Sequence, residues 1–318
     1  MISVLSKRDH TSLLQFIAER EAVRQRRASG DPPPWTEDKI LGDWSFCNVK
    51  RECDRVTCWI SDNWREPHAD DPDLWFAMAV ARLVNWPPSL AEIDWPAPFD
   101  RDRFVTKLRE RAERCEKVWG DAYTINAGAK GVSKADHIAN ILEKLWAARD
   151  RLRPRPGEGL VEFHNRLKER DGLSDFYAAQ IVADVKYAQL LDASDWMTFA
   201  ASGPGSRRGL NRVMGRDKDA PWKEENWRIE LRNLHRAIKP ELERLGLGDL
   251  HAQDLQNCLC EFDKYERVRG VVGKYSANMI EPRRGVACRA TGPCASGSRK
   301  IRGIYAIHPV LNTMIPRT

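Results

Sequence analysis

The spacing of apolar side chains is helical along most of this chain. In the most regular segment, apolar residues recur at i, i+3, i+7, i+10 and i+14, namely Phe46, Val49, Cys53, Val56 and Ile60. This spacing places them on one face of an α-helix that packs against a core. No segment alternates apolar and polar residues for long enough to predict a β-sheet. We therefore predict an all-α protein.

The same periodicity, together with proline, glycine and capping residues, predicts the helix boundaries. Helices are expected at 13–27, 36–61, 73–84, 101–119, 134–151, 159–170, 175–191, 222–245 and 251–268. Two Trp-Pro pairs, at 86–87 and 95–96, predict a loop between them, and another loop is predicted at 200–208. These elements suggest an N-terminal helix and linker (1–35), a helical domain that carries the candidate catalytic residues (36–270) and a basic Gly/Ser-rich tail (271–318).

The composition restricts the class of protein. Hydrophobic residues make up 42% of the 318 residues, which is enough for a buried core. Lys and Arg number 52 against 46 Asp and Glu, a modest net charge of +6 that does not by itself establish a polyanionic partner. There is neither an apolar run of membrane-spanning length nor the apolar core of a signal peptide, so we expect a cytoplasmic protein with no membrane partner. The eight cysteines lack the paired spacing of zinc sites, and neither a metal nor another cofactor is expected.

The predicted helix at 36–61 carries a cationic face. Asn48, Arg51 and Arg55 follow one another at helical spacing. Two guanidinium groups and an amide on one face can converge on a single anion, because each guanidinium offers paired donors in a fixed geometry. The alternative is a solvated helix face on which these residues pair with Glu52 and Asp54.

The segment ASGPGSRRGLNRV contains a candidate phosphate-binding turn. Gly203 and Gly205 permit a tight turn, and Ser206 can cap a following helix. The free amides of that helix would bind a phosphate, with Arg207 and Arg208 alongside. The alternative is an ordinary glycine turn between two helices.

The segment LQNCLCEFDKYERV places a carboxylate, a thiol and cations near one another on a helix. Asp263 is the candidate general base, and Lys264 and Arg267 are candidate phosphate-binding residues. Cys260 is a candidate nucleophile if Lys264 or Arg267 lowers its pKa. The alternative, which we favour for Cys260, is a small buried side chain without a catalytic role.

The segment GLSDFYAAQIVADVKY predicts a helix capped by Ser174, with Gln180 and Asp184 along one side. The Gln180 amide offers both a donor and an acceptor, which suits the edge of a pyrimidine. A hydrogen bond between helices in the core is an equally good explanation for Gln180.

These four segments, taken in order, resemble the motif series of the α-glutamyl/putrescinyl-thymine pyrophosphorylases, also called amino acid:DNA transferases. The resemblance covers residues 36 to 268. It implies a helical bundle similar to that of helix-hairpin-helix DNA glycosylases, with Gly203, Gly205 and Ser206 in the hairpin that grips DNA.

The resemblance also implies an activity. The substrate would be double-stranded DNA that carries phosphorylated 5-hydroxymethyluracil, flipped out of the helix. An amine, from an amino acid or a polyamine such as putrescine, would replace the phosphate or pyrophosphate on the 5-methylene group. Arg51, Arg55, Arg207 and Arg208 would stabilise the leaving anion and Asp263 would activate the amine, whereas Cys260 would act only if a nucleophile first adds to C6 of the pyrimidine. For a phage enzyme the implied location is the host cytoplasm.

Two other functions remain open at this stage. A helix-hairpin-helix DNA base glycosylase would release a free base and leave an abasic site. A non-catalytic helical DNA-binding protein would use its arginines only for backbone phosphates and would bind with a steep salt dependence.

Overall fold

The computed structural model describes residues 10–120, 131–168, 173–188 and 193–275, with side chains up to residue 270. The regular structure in these ranges is helical and contains no β-strand, which confirms the predicted all-α class. The α-helices are α1 (Thr11–Ala28), α2 (Lys39–Asp43), α3 (Arg55–Ile60), α4 (Leu74–Val84), α5 (Pro87–Ile93), α6 (Arg101–Glu113), α7 (Lys134–Ala147), α8 (Arg149–Leu152), α9 (Leu160–Lys168), α10 (Asp175–Val185), α11 (Pro204–Val213), α12 (Glu224–Arg244) and α13 (Ala252–Tyr275). Among these helices, none combines the length and apolar character that a membrane crossing requires.

Helix α4 lies at the centre of the first hydrophobic core. Its sequence LWFAMAVARLV is apolar apart from Arg82, and all of its residues are buried. Apolar side chains of α5, α6, α7, α9 and α10 cover it. The helix ends at Asn85, which adopts the left-handed conformation (φ 52°) that asparagine tolerates. Arg82 is thus held in the interior, where a charge requires a partner.

A second hydrophobic core lies between α1, α2, α11, α12 and α13. Helix α1 contributes Leu13, Phe16 and Ile17 to it, and Trp227 of α12 is fully buried there. Helix α1 therefore packs together with α11 and α13, which carry most of the segments ASGPGSRRGLNRV and LQNCLCEFDKYERV.

Helices α11 and α13 approach each other closely because α11 has glycines one turn apart. A Cβ atom on Gly205 would overlap the Cys260 sulfur, and one on Gly209 would overlap the Leu259 carbonyl oxygen. Both glycines therefore serve the contact between the two helices.

The prediction of one helix over 36–61 is wrong. Helix α2 ends at Asp43, the chain then runs without helix to a 3₁₀ turn at Arg51–Cys53, and α3 is followed by a π-helical turn at Ser61–Arg65. The cause is Arg20 of α1, which donates to the carbonyl oxygens of Phe46 (3.0 Å) and Cys47 (2.9 Å). These carbonyls are therefore satisfied without a helical ladder.

Several other boundaries differ from the prediction. The predicted loop between the Trp-Pro pairs contains α5, because its two leading prolines suit the first turn of a helix. Helix α11 starts inside the predicted loop at 200–208, and α6 ends at Glu113, short of 119. Helix α10 ends at Val185 and is followed by a turn, short of the predicted end at 191. Helix α13 continues to Tyr275, past the predicted start of the tail, and the tail from 276 and the predicted helix end at 170 lie outside the described residues.

The packing of α11 on α13 predicts the effect of a single methyl group. We expect Gly209→Ala to lower the free energy of unfolding by about 2 kcal/mol or more, because the added Cβ meets backbone that cannot move independently. The matched control is Gly270→Ala in α13, where a Cβ has no neighbour within 4 Å, and the higher helix propensity of alanine should raise stability by up to about 1 kcal/mol. Urea denaturation measures both; equal effects would contradict the close approach.

Candidate functional site

Asp184 of α10 is the centre of a buried polar cluster. Arg82 donates to both of its carboxylate oxygens, with Nη2 at 2.6 Å from Oδ1. Arg51 lies 3.5 Å from the same Oδ1 atom through Nη2, and its Nη1 donates to the Gln180 side-chain oxygen at 2.6 Å. The structure therefore brings together three residues that the sequence singled out: Arg51, Gln180 and Asp184.

The arginines decide the charge state of Asp184. Burial by itself would raise the pKa of this carboxyl, but Arg82 and Arg51 outweigh it and hold the pKa below its usual value. Arg82 also donates to Thr57 (2.9 Å) and Asn85 (3.2 Å). Arg82 is not among the predicted site residues, although a lone charge in an apolar helix is a signal that could have identified it.

Four residues absent from the predicted site extend this cluster: Lys186, Tyr187, His251 and Asp254. The Arg51 backbone N–H donates to Asp254 Oδ1 at 3.0 Å. His251 Nε2 lies 3.0 Å from Asp254 Oδ2 and 2.5 Å from the Tyr187 hydroxyl oxygen. Burial raises the pKa of Asp254 to about 6 and lowers that of His251 to about 2, so His251 is neutral.

Tyr187 and Trp196 lie at the edge of the buried cluster, because both are only half-buried. The Lys186 ammonium donates to the Trp196 carbonyl oxygen (3.1 Å) and lies 4.1 Å from the centre of its ring. Burial lowers the pKa of Lys186 to about 8, against the opposing attraction of Asp254. On the other side, Arg65 lies over the Tyr187 ring at 5.2 Å. Two aromatic rings and two cations therefore border the cluster.

A second cluster surrounds Asp263 of α13. This fully buried carboxylate accepts from Arg208 (2.8 Å), Arg212 (2.9 Å) and Arg267 (3.2 Å). The arginine side chains remain between 23 and 55% exposed, so three cations that share one anion face the solvent. Arg212 is not among the predicted site residues. Because three guanidinium groups occupy the carboxylate oxygens, the geometry favours a structural role for Asp263; its role as general base stays a prediction.

The condition that we set for Cys260 as a nucleophile is not met. Its side chain packs against Gly205 of α11. Burial raises the pKa of the Cys260 thiol to about 11, with further contributions from Glu261 and Asp263 that exceed the opposing effect of Arg208 and Lys264. Lys264 lowers the pKa of the thiol but is outweighed, so the geometry favours the small buried side chain that we preferred for Cys260; a catalytic role of Cys260 stays a prediction.

The predicted convergence of Asn48, Arg51 and Arg55 on one helical face is also wrong. Asn48 precedes the 3₁₀ turn, where its amide accepts from Arg20 (2.5 Å) and donates to the Cys53 carbonyl oxygen (2.6 Å). Arg51 is buried and Arg55 is exposed. Any role of Asn48 or Arg55 in phosphate binding stays a prediction.

The remaining candidates hold helix ends and loops in place. Ser206 is the third residue of α11 and not its N-cap; its hydroxyl accepts from the N–H of Gly203, the N-cap residue (2.9 Å), which is a capping-box contact. Arg207 pairs with Ser202 (2.7 Å) and Glu224 (3.2 Å). Lys264 donates to the Ser45 carbonyl oxygen. The predicted contacts of these residues and of Gly203 and Gly205 with DNA are untested.

An open cleft of about 690 Å³ lies at the start of α12. Its lining consists of Met214, Arg216, Pro221, Trp222, Lys223, Asn226, Ile229 and Glu230. No residue of either polar cluster lines this cleft. Among the described residues, no group of three His, Cys, Asp or Glu side chains is arranged to hold a metal ion.

The cluster around Asp263 predicts that its charge is needed for stability. We expect Asp263→Asn to lower the free energy of unfolding by about 3 kcal/mol, because three neighbouring cations lose their shared anion. Asp249→Asn is the control, since exposed Asp249 has Lys50 as its one ion-pair partner among the described residues, and its loss should change stability by less than about 1 kcal/mol. A variant that keeps full stability and loses only turnover would instead favour the role of base.

The raised pKa of Asp254 predicts that the stability of the protein depends on pH. The pKa of Asp254 in the folded protein, about 6, lies above its value in the unfolded chain. At a pH between the two values, the folded protein therefore binds a proton that the unfolded chain has released. Stability from this group is therefore lost as the pH rises from about 4 to about 6, by up to about 3 kcal/mol. The unfolding free energy of the parent protein minus that of Asp254→Asn should fall across this range. A constant difference would show that Asp254 titrates normally.

Comparisons with known proteins identify the family. The family model described as "5-hmdU DNA kinase, helical domain" matches residues 8–273. A curated relative, the 5-hmdU DNA kinase of Bacillus phage SP10, is 26% identical over 290 residues, which cover 78% of this chain and 43% of the relative. The chain thus spans less than half the length of that relative. No solved structure matches the chain. Because the family model covers most of its length, the chain belongs to the family of 5-hmdU DNA kinase helical domains.

Proposed function

We propose that this chain is an enzyme that modifies 5-hydroxymethyluracil in DNA. Its family and its relative are both named for this base in DNA. The structure supports the proposal with two sets of residues. The buried cluster around Asp184 offers polar groups for a base, and the arginines around Asp263 offer cations for DNA phosphates.

The observation that carries this proposal is the contact between Arg51 and Gln180. A guanidinium can only donate hydrogen bonds, so the Gln180 oxygen must face Arg51 at 2.6 Å. The amide NH₂ of Gln180 is then directed away, and it makes no hydrogen bond with any other described residue. An oriented NH₂ donor suits a carbonyl oxygen of uracil, while the half-buried Tyr187 and Trp196 offer rings for stacking on a flipped base.

The reaction that we propose replaces the phosphate or pyrophosphate of phosphorylated 5-hydroxymethyluracil with an amine. The amine nitrogen forms a bond to the 5-methylene carbon while the bond from that carbon to the ester oxygen breaks. The electron pair leaves with the phosphate, and the new ammonium group releases a proton. Arg51 is the cation placed next to Gln180, where a departing anion on the bound base needs stabilisation.

The DNA backbone would lie along the arginine surface formed by Arg208, Arg212 and Arg267. These side chains are partly exposed and share one carboxylate, so positive charge remains for phosphate contacts. Such contacts hold the duplex and carry no sequence preference of their own.

Phosphoryl transfer to the 5-hydroxymethyl group is the second candidate. The observation in its favour is the name of the relative, a 5-hmdU DNA kinase. More than half of that relative lies outside the matched region, so its kinase activity is not assigned to this region by the match.

Mass spectrometry of nucleosides separates these functions. DNA that contains 5-phosphomethyl-deoxyuridine, or its pyrophosphorylated form, is incubated with the protein, amino acids and putrescine. We expect a new aminomethylated nucleoside whose mass identifies the amine. In a parallel reaction, DNA with 5-hydroxymethyluracil is incubated with ATP and Mg²⁺, and a phosphorylated nucleoside there would favour the kinase. Released base with abasic sites would indicate a glycosylase, and unchanged DNA bound by folded protein would indicate a binding module.

Two arginine variants link the product to the site. We expect Arg51→Ala to reduce turnover by about 100-fold or more with little change in DNA affinity, because it removes a cation next to the bound base. Arg244→Ala is the control, since this exposed arginine at the end of α12 belongs to neither polar cluster and is not a predicted site residue. Equal loss in both variants would remove Arg51 from the proposed site.

A further inference from the structure

Tyr187, His251 and Asp254 form a hydrogen-bonded unit beside Arg51 and Gln180. The Asp254 backbone N–H, in the first turn of α13, donates to His251 Nδ1 at 3.2 Å. Nδ1 is therefore an acceptor and carries no proton. A neutral imidazole has one proton, which must then be on Nε2.

This tautomer determines the direction of the Tyr187 hydroxyl. The proton on His251 Nε2 has two acceptors, the Tyr187 oxygen at 2.5 Å and Asp254 Oδ2 at 3.0 Å. Because Nε2 donates, the Tyr187 oxygen accepts and its own proton is directed away from His251. Of the described residues, His251 is the only one that the Tyr187 hydroxyl contacts by a hydrogen bond. The hydroxyl therefore has a proton to donate at the edge of the cluster.

The surroundings keep this hydroxyl protonated. Burial raises the pKa of Tyr187 well above its usual value, and Asp254 and Glu52 add to the effect. The charged or titratable groups around it are Arg51, Glu52, Arg65, Asp184, Lys186, His251 and Asp254. Tyr187 is thus suited to donate a hydrogen bond and unsuited to act as a base.

We propose that the Tyr187 hydroxyl, oriented by His251 and Asp254, donates a hydrogen bond to the ester oxygen between the 5-methylene group and the phosphate of the substrate. The proposal rests on the function proposed above. As the carbon–oxygen bond breaks, the electron pair moves onto this oxygen, and the hydrogen bond stabilises the growing charge. Tyr187 keeps its proton, and the proton of the ammonium product passes to the released phosphate or to water. His251 and Asp254 are positioning residues.

The kinetic test uses Tyr187→Phe, which retains the ring and removes only the hydroxyl. We expect kcat to fall by about 100-fold, in the range for loss of one oriented donor, with KM and DNA affinity within about twofold of the parent. Tyr177→Phe is the control, because Tyr177 is also half-buried and its hydroxyl makes no hydrogen bond with a described residue. Unchanged kcat in Tyr187→Phe, or equal loss in both variants, would overturn the proposal.

Two NMR measurements test the unit independently of turnover. ¹⁵N shifts of the His251 ring should show a protonated Nε2 and an unprotonated Nδ1, and the opposite tautomer would overturn the proposal. The ¹³Cζ shift of Tyr187 should respond to a duplex with 5-phosphomethyl-deoxyuridine and much less to one with 5-hydroxymethyl-deoxyuridine. A response without an amine-transfer product would retain the contact while rejecting the proposed reaction. No difference between the two duplexes would reject the contact.

Discussion

The ion pair between Arg82 and Asp184 joins the parts of the molecule that form the candidate site. Arg82 is in the apolar helix α4 and Asp184 is in α10, and both side chains are buried. Each charge would be costly in this interior without the other, and loss of one partner from such a pair costs about 3–5 kcal/mol. The pair also provides the carboxylate next to which Arg51 lies, so the 3₁₀ turn that carries Arg51 is positioned by a contact between two other helices.

Much of the fold follows from local sequence, and so does part of the site. Helices with a clear apolar stripe, such as α1 and α12, and the apolar helix α4 were predicted close to their observed positions. Gln180 and Asp184 were expected on one side of a helix, and they meet Arg51 as members of one cluster. These features depend on periodicity and residue type, which are visible in the sequence.

Three of the differences between the sequence-based predictions and the structure have a common physical origin in contacts between distant residues. The apolar spacing over 46–60 fits a helix, yet Arg20 satisfies the carbonyls of that segment from another helix. Asp254 and His251 form a site with Tyr187 only because the residue that precedes α13 meets the turn that follows α10. Cys260 had cationic neighbours in sequence, but burial against α11 dominates the pKa of its thiol. A single sequence does not show which long-range contact will override a local preference.

The Arg20 contact also makes the candidate site dependent on helix α1. Helix α1 is far in sequence from the cluster, but its guanidinium fixes the backbone of 46–48 a few residues before Arg51. A shortened protein that began at residue 36 would therefore keep every candidate side chain and lose the Arg20 hydrogen bonds that position the segment before Arg51. Loss of the proposed activity on such trimming would reflect displacement of Arg51, since α1 contributes no side chain to either polar cluster.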